Sequence, residues 1–405
     1  MKLPSIFCLL ILAQAITSAN DWPGWRGPNN NGVADPDQDP PVELGKPKWQ
    51  RDIQGRGHGS VMVWKDRVWV QVADKTIQRQ SLLSFDRDTG RPSTSTGIHT
   101  VGFNQKLNKK ATWASNTPAT DGERVYVNFL HGNTAKTTAL DMSGNQVWQR
   151  DLCEYKVHQG YGSSPIIYKN LVIVSADNKL GGVVCGLDRK TGDVVWKADR
   201  AKEPNYPSPV VLNAAGKDQL FLTGTNKVTS YDPLTGKVNW EIDGATTECV
   251  TTTVTDGERI YSSGGYPKNH VAAIEADGSG KIAWETKDRV YVPSMLVKDG
   301  HLYAVMDSGV AICWDAKTGA EKWKARLGGN FSGSPTLVGD KIYAGNESGT
   351  VYVFSARPDK LEVLSEQKIA DEIFSSPSIC GGQIFLRVAN YRGVTRSESI
   401  VCFSK

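Results

Sequence analysis

The sequence has little excess charge of either sign, and long hydrophobic runs are scarce. Its 405 residues include 47 Lys and Arg against 43 Asp and Glu, so the formal net charge is only +4. This balance argues against nucleic acid as a partner. Hydrophobic residues make up 39% and charged residues 22% of the chain, and Gly is frequent at 40 residues. These values exclude a disordered chain, a multi-span membrane protein and a coiled coil.

The one sizeable apolar run lies at the N-terminus, in residues 6–16, behind the positive charge of Lys2. It is too short for a permanent membrane anchor. Small residues follow at positions 17–19, where a signal peptidase could cut. We expect residues 1–19 to be a signal peptide removed near Ala19-Asn20. The mature chain is then exported to the periplasm or beyond, without a transmembrane segment.

Adjacent cysteines and C-x-x-C pairs are absent, although six cysteines follow the signal peptide. An even number in an exported protein permits disulfides. Several of these cysteines, however, stand in apolar strand-like segments such as AICW around Cys313. Burial as small hydrophobic side chains explains that setting better.

Catalytic motifs are also missing, because no G-x-S-x-G, H-E-x-x-H, G-x-x-x-x-G-K or G-x-G-x-x-G string occurs. The six histidines show no metal-ligand spacing and are interpreted as scattered surface residues. We therefore predict no catalytic residues and no metal site.

The chain is rich in internal repeats. A turn of the Asp-x-x-Thr-Gly type followed by Trp recurs as ALDMSGNQVW (139–148), GLDRKTGDVVW (186–196), SYDPLTGKVNW (230–240), AIEADGSGKIAW (273–284) and CWDAKTGAEKW (313–323). Eight Ser-Pro-like steps open apolar strands upstream of these turns, at a period of roughly 40 to 48 residues. Each repeat reads as four strands with tight turns.

A four-stranded unit cannot bury both of its faces alone, whereas a closed ring of such units can. We predict an all-β fold, an eight-bladed β-propeller of four-stranded antiparallel blades over residues 49–405. Residues 20–48 form an N-terminal leader or linker. The repeated tryptophans are predicted to dock each blade against the next; they are Trp49, Trp148, Trp196, Trp240, Trp284 and Trp323.

The two ends of the chain predict how the ring closes. The last repeat stops before any Trp-bearing strand, and Trp49-Gln-Arg-Asp near the N-terminus repeats the four residues at 148–151. We predict that the segment around Trp49 pairs with residues 400–403 and completes the eighth blade.

The three copies GLDRKTGDVVW, SYDPLTGKVNW and CWDAKTGAEKW resemble the tryptophan-docking motif of the PQQ-like, quinoprotein-type propeller family, which includes the outer-membrane assembly factor BamB and quinoprotein alcohol dehydrogenases. The start DWPGWRGP (21–28) resembles the leader of secreted bacterial PQQ-like repeat proteins. The resemblance implies either a non-catalytic binding scaffold or a dehydrogenase that oxidises small alcohols or sugars with PQQ and Ca²⁺. Such a dehydrogenase is expected to carry an adjacent-cysteine disulfide, which this chain lacks, so a scaffold without a cofactor is favoured.

Aromatic residues precede the innermost strand in six repeats, on the face where basic residues also collect. Either these rings wedge between blades, or they form a binding site at the channel mouth for a protein or a cell-envelope polysaccharide. The candidate ligand-binding residues are His58, Trp113, Tyr161, Tyr206, Tyr291, Phe331, Phe374, Lys179 and Lys227. A long insertion, residues 90–114, is expected to overhang this face. We expect the protein to act as a monomer.

Overall fold

The computed structural model describes residues 20–405, and the predicted signal peptide lies outside them. Over that range the regular structure is built of β-strands arranged in eight four-stranded sheets, each antiparallel. The first strands of neighbouring sheets contact one another, so the sheets are the blades of a propeller around a central channel. The predicted eight-bladed β-propeller is confirmed.

The strands of blades 1 to 4, from the channel outwards, have the following bounds. Blade 1 contains β2 Met62–Trp64, β3 Arg67–Asp74, β4 Arg79–Asp86 and β5 Pro92–Thr100; blade 2 contains β6 Ala119–Thr120, β7 Arg124–His131, β8 Thr134–Asp141 and β9 Gln146–Glu154. Blade 3 contains β10 Ile166–Tyr168, β11 Leu171–Ser175, β12 Gly182–Asp188 and β13 Val194–Arg200; blade 4 contains β14 Val210–Ala214, β15 Lys217–Gly224, β16 Lys227–Tyr231 and β17 Val238–Asp243.

Blades 5 to 8 complete the ring in the same way. Blade 5 contains β18 Val254–Thr255, β19 Arg259–Gly264, β20 His270–Glu275 and β21 Ile282–Thr286; blade 6 contains β22 Leu296–Lys298, β23 His301–Val305, β24 Val310–Asp315 and β25 Glu321–Arg326. Blade 7 contains β26 Thr336–Val338, β27 Lys341–Gly345, β28 Thr350–Ser355 and β29 Val363–Lys368; blade 8 contains β30 Ser378–Cys380, β31 Gln383–Arg392, β32 Thr395–Phe403 and β1 Trp49–Ile53.

The ring closes through the N-terminal strand, as predicted. Strand β1 is the outermost strand of blade 8, with Trp49 opposite Cys402 and Arg51 opposite Ile400. Within blade 8, Arg387 Nε lies 2.7 Å from Glu398 Oε2 in a buried ion pair. The same guanidinium joins blade 8 to blade 1, because Arg387 Nη1 donates to Gln71 O of β3 at 2.7 Å. The two chain ends are thus held in one blade.

The repeated turns have the geometry that the motif predicts. In blade 3 the Asp188 carboxylate accepts the backbone N–H groups of Lys190 and Thr191 at 2.8 and 3.0 Å. Gly192 takes a φ of 75°, and the strand register shifts next to Gly186. A β-bulge therefore follows the turn and aims the next Trp towards the neighbouring blade.

Each of the six repeated tryptophans lies against the turn glycine of the next blade or a backbone carbonyl there. Trp196 Nε1 donates to Pro233 O at 3.1 Å, and a Cβ at Gly236 would lie 2.3 Å from its ring. Trp240 differs, since its Nε1 donates to Gln219 Oε1 within its own blade, although its ring still covers Gly278. The corresponding bonds of the others run Trp49 to Arg87 O, Trp148 to Arg189 O, Trp284 to Ala316 O and Trp323 to Arg357 O.

The leader is packed into the fold. Trp22 pairs with Val63 of blade 1, and the side chains of Trp22 and Arg26 are almost fully buried. Farther along, Ala34 N donates to Leu337 O of blade 7 at 2.8 Å. The leader therefore crosses the channel on the face that carries the turns between the first and second strands of the blades.

The six cysteines in residues 20–405 are free thiols, and all but Cys153 are fully buried. Burial raises the pKa of the Cys185 and Cys380 thiols to about 12. They are therefore small core side chains, as their apolar sequence context predicts. No helix in the same range is long and apolar enough to cross a membrane.

Candidate functional site

A ring of hydroxyl groups surrounds the channel axis. Each Ser-Pro-like step places a Ser or Thr just before the innermost strand. At seven of the eight steps its side-chain oxygen accepts the backbone N–H of the equivalent residue one blade earlier, and Thr252 is the exception. The donor and acceptor residues are Ser60 to Thr117, Thr117 to Ser164, Ser164 to Ser208, Thr252 to Ser294, Ser294 to Ser334, Ser334 to Ser376 and Ser376 to Ser60, at 2.8 to 3.0 Å. The repeat predicted these positions as strand openings, but their hydroxyl ring was not anticipated.

Trp25 closes the channel at the face on which the leader lies. Its Nε1 donates to Thr252 Oγ1 at 2.9 Å, in place of the backbone N–H that the ring pattern would supply. Beside it, Arg26 donates to Pro335 O, to Asn31 O and, through a short bond, to Met295 O. Burial lowers the pKa of this guanidinium to about 9. The channel is thus a blind cavity that opens on the opposite face.

The cavity has a volume of about 380 Å³ and brings together five of the nine predicted ligand-binding residues. Tyr161, Tyr206 and Tyr291 form one part of its wall. His58 and Phe374 form another, with their rings stacked at a centroid distance of 4.4 Å. Several ring serines and Trp25 complete the lining. The site is therefore aromatic and rich in hydroxyl groups.

Trp113 and Phe331, also predicted to bind ligand, lie away from the cavity. Trp113 is buried edge-on against Phe103 at 5.1 Å, and Phe331 is fully buried against Tyr352. These two rings wedge between elements of the core, which is the other interpretation offered by the sequence. Identical placement before a first strand does not decide which way a side chain points.

The predicted basic residues do not line the cavity either. Lys227 is paired with Asp243 at 2.8 Å, and Lys179 is exposed at the tip of its hairpin. Lys136 and Arg396, on the same face, are likewise paired with carboxylates. The predicted residues Lys179 and Lys227 therefore lie outside the cavity lining.

The predicted insertion has two parts. Its first half is β5, the outer strand of blade 1, so only residues 101–112 form a loop. That loop reaches over the mouth, where Lys110 Nζ pairs with Glu347 of blade 7 at 2.7 Å. Ser332 also donates to Glu347 at 2.7 Å, and Asn108 donates to Gln159 at 2.6 Å. The expectation that this segment overhangs the face holds for the loop alone.

Burial shifts the pKa values of several titratable groups at the cavity towards the neutral form. Burial, assisted by nearby Arg56 and Arg387, keeps the pKa of His58 well below its ordinary value. Burial also raises the pKa of the Tyr206 phenol, whose oxygen lies 3.2 Å from His158 Nδ1. The Glu248 carboxyl, 3.4 Å from the same nitrogen, has a raised pKa for the same reason. Tyr206 is therefore a hydrogen-bonding group and is not activated as a nucleophile or a base.

The lining does not fit a calcium-bound quinone. It contains no carboxylate to hold a cation, and its one cationic side chain, Lys110, is engaged by Glu347. In residues 20–405 no cluster of three or more His, Cys, Asp or Glu side chains could hold a metal ion. A tricarboxylate cofactor with Ca²⁺ needs oxygen ligands and several cations, which this cavity does not offer.

A profile of the family described as "Outer membrane protein assembly factor BamB" matches residues 79–325 and 267–361. The matches span more than half of the chain. The chain belongs to this family. The resemblance that the docking motifs indicate, to a PQQ-like and BamB-like repeat family, is confirmed.

Curated BamB proteins are similar over much of their length. The assembly factor BamB of Moranella endobia is 23% identical over 325 residues, which cover 76% of this chain and 78% of that protein. The BamB protein of Bordetella pertussis is 22% identical over 289 residues, covering 64% and 69%. This chain is thus an outer-membrane-assembly-factor-like propeller.

Solved structures share the fold at low sequence identity. BamB from Moraxella catarrhalis superimposes with a TM-score of 0.61 at 12% identity, covering 90% of this chain and 97% of that one. A europium-containing methanol dehydrogenase gives a TM-score of 0.68 at 11% identity, covering 96% and 99%. The propeller is therefore common to BamB and to dehydrogenases, and function has to be argued from the site.

Proposed function

We propose that this protein is an exported, monomeric and non-catalytic scaffold of the cell envelope that holds a segment of a protein partner at the channel mouth. The observation that carries the proposal is the blind cavity on the propeller axis, walled by Tyr161, Tyr206 and Tyr291 and floored by Trp25. A rigid concave site of this kind is suited to recognition.

The chemistry of the lining favours binding over turnover. Tyrosine rings supply large apolar contact area with a polar end, and they are enriched where proteins bind one another. The ring serines already accept backbone N–H groups, so their O–H groups remain available to acceptors on a bound chain. Membership of the BamB family favours a protein partner over a polysaccharide.

A binding titration tests this proposal. The protein probe is an unfolded outer-membrane β-barrel protein diluted from urea, and the polymer probe is a linear maltooligosaccharide. We expect saturable binding of the protein probe to the wild type, weakened about tenfold or more by the double substitution Tyr206→Ala/Tyr291→Ala, because each truncation removes an aromatic anchor. The melting temperature of each variant is measured in parallel.

Tyr168→Ala is the matched control, since Tyr168 lies on the opposite face and donates to Asp218. It should leave binding unchanged. Equal losses in both variants, or binding of the maltooligosaccharide alone, would contradict the proposal. A third titration with PQQ and Ca²⁺, combined with dye reduction on simple alcohols, would replace it with a dehydrogenase if both binding and reduction were observed.

A further inference from the structure

One sector of the mouth face projects beyond the rest. The β31–β32 hairpin of blade 8 has strands of 10 and 9 residues, and the β3–β4 hairpin of blade 1 has strands of 8 residues each. The β7–β8 hairpin of the adjacent blade 2 also has strands of 8 residues each, whereas the corresponding hairpins of blades 5 to 7 have strands of 5 or 6 residues. The tips of the blade 1 and blade 8 hairpins, residues 75–78 and 391–394, and the adjoining segment 101–110 form what we call the projecting patch.

The projecting patch exposes apolar side chains at isolated tips. Val394 is fully exposed, Val101 is 63% exposed, Ile77 55% and Tyr391 45%. Val101 N donates to Gln78 O at 2.7 Å, so the loop and the blade 1 hairpin are held side by side. These side chains do not converge on a pocket, unlike the anchors of a typical protein interface.

These segments contain Lys75, Lys106, Lys109, Lys110 and Arg392 and no Asp or Glu. Three carboxylates adjoin the patch: Asp74 accepts the backbone N–H of Thr76, and Asp371 and Glu372 accept from the backbone N–H and the hydroxyl of Tyr391. Lys110 is paired with Glu347, whereas the other four make no ion pair with any residue of the described chain. The projecting patch therefore combines separate apolar tips with four cations that form no ion pair within residues 20–405.

We infer that the projecting patch docks the propeller on an anionic phospholipid bilayer. Basic residues are attracted to the negative surface potential of such a bilayer, and apolar side chains at loop tips enter the boundary between headgroups and acyl chains. A bilayer surface combines negative charge with an apolar interior, and apolar tips on separate hairpins can insert into it side by side. The mouth cavity opens on the same face, so docking holds it next to the lipid surface.

Vesicle flotation with the full mature chain tests this inference. We expect the protein to float with vesicles of phosphatidylcholine mixed with phosphatidylglycerol, less so at high salt, and not with phosphatidylcholine alone. The double substitution Ile77→Asn/Val394→Asn removes the inserting tips, and Lys75→Gln/Arg392→Gln removes two cations. Each pair should lower the partition coefficient about tenfold or more.

A matched pair on the opposite face provides the control. Leu234 is 39% exposed in the same turn as Lys237, and Leu234→Asn/Lys237→Gln should leave flotation unchanged. Absence of binding to the anionic vesicles, or an equal loss in the control, would overturn the inference. Tyr206→Ala/Tyr291→Ala should float like the wild type, so failure of the docking surface is distinguishable from failure of the mouth site.

Discussion

The burial of His99 could not be predicted from the spacing of the histidines in the sequence. The six histidines were interpreted as surface residues, yet His99 is only 7% exposed and stacks on His131 at 4.5 Å. Gln80 donates its amide N–H to Leu130 O, which turns its oxygen towards His99 Nδ1 at 2.9 Å. The Gln149 amide nitrogen lies 3.0 Å from Nε2, so this nitrogen accepts and the imidazole is neutral.

This environment predicts a pH dependence of stability. Burial, with the charges of His131 and Lys136, lowers the pKa of His99 to about 4 from an ordinary value near 6.5. The folded state therefore binds fewer protons than the unfolded state between these two pH values. The free energy of unfolding should fall by about 3 kcal/mol as the pH falls through this window, because the unfolded histidine gains a proton that the folded one resists.

Denaturant unfolding at pH 7 and pH 4.5 measures the effect. The variant His99→Gln should lose less stability between the two pH values than the wild type, while His301→Gln, at an exposed turn, should behave like the wild type. An identical pH dependence in all three proteins would show that His99 is not responsible.

The sequence did not identify Trp25 as part of the site, although two glycines of the leader shape the segment that carries it. A Cβ at Gly27 would lie 2.7 Å from the ring of Trp22, and one at Gly32 would lie 2.6 Å from the Arg26 guanidinium. Both glycines have positive φ values, so the leader folds tightly over its own side chains. The sequence shows the W-x-x-W-R-G pattern, but the contact with Thr252 joins residues that are 227 positions apart and follows only from the closed ring.

At the scale of a single element, the turn glycine and the docking tryptophan act as one unit. Gly236 has a φ of 69° and lies under the ring of Trp196, whereas Gly216 has a φ of 75° with nothing near the position of a Cβ. The two glycines thus share the backbone requirement and differ in the tryptophan contact.

The comparison of these glycines predicts the energy of docking. Gly216→Ala should cost about 1 to 2 kcal/mol, the penalty for a left-handed conformation in a residue with a side chain. Gly236→Ala should cost about 1 to 3 kcal/mol more, because the new methyl group displaces Trp196 from the next blade. Equilibrium unfolding in guanidinium measures both, and equal costs would mean that the tryptophan contact contributes nothing.

At the scale of the whole molecule, the repeats were sufficient to predict the ring. The turn and the Trp recur in several copies. The match of Trp49-Gln-Arg-Asp with residues 148–151 predicted that this segment pairs with residues 400–403, as β1 does in blade 8. Such local signals specify a blade because its contacts are mainly with its own strands and its neighbours.

The cavity was predictable only in part. Tyr161 and Trp113 occupy equivalent positions in the repeat and are both buried, but Trp113 packs against Phe103 of the 101–112 loop whereas Tyr161 lines the cavity. The Lys110–Glu347 pair joins blades on different sides of the mouth. Contacts between distant repeats depend on the shape of the assembled ring, which no single repeat contains.

The mouth cavity is the place where we propose that a protein partner is held. Site-specific photo-crosslinking tests it most directly, with a benzophenone amino acid at position 206 in the cavity wall or at position 168 on the opposite face. We expect a covalent adduct with the unfolded outer-membrane β-barrel protein from position 206 and none from position 168. Adducts from position 168 alone, or equal yields from both, would contradict it.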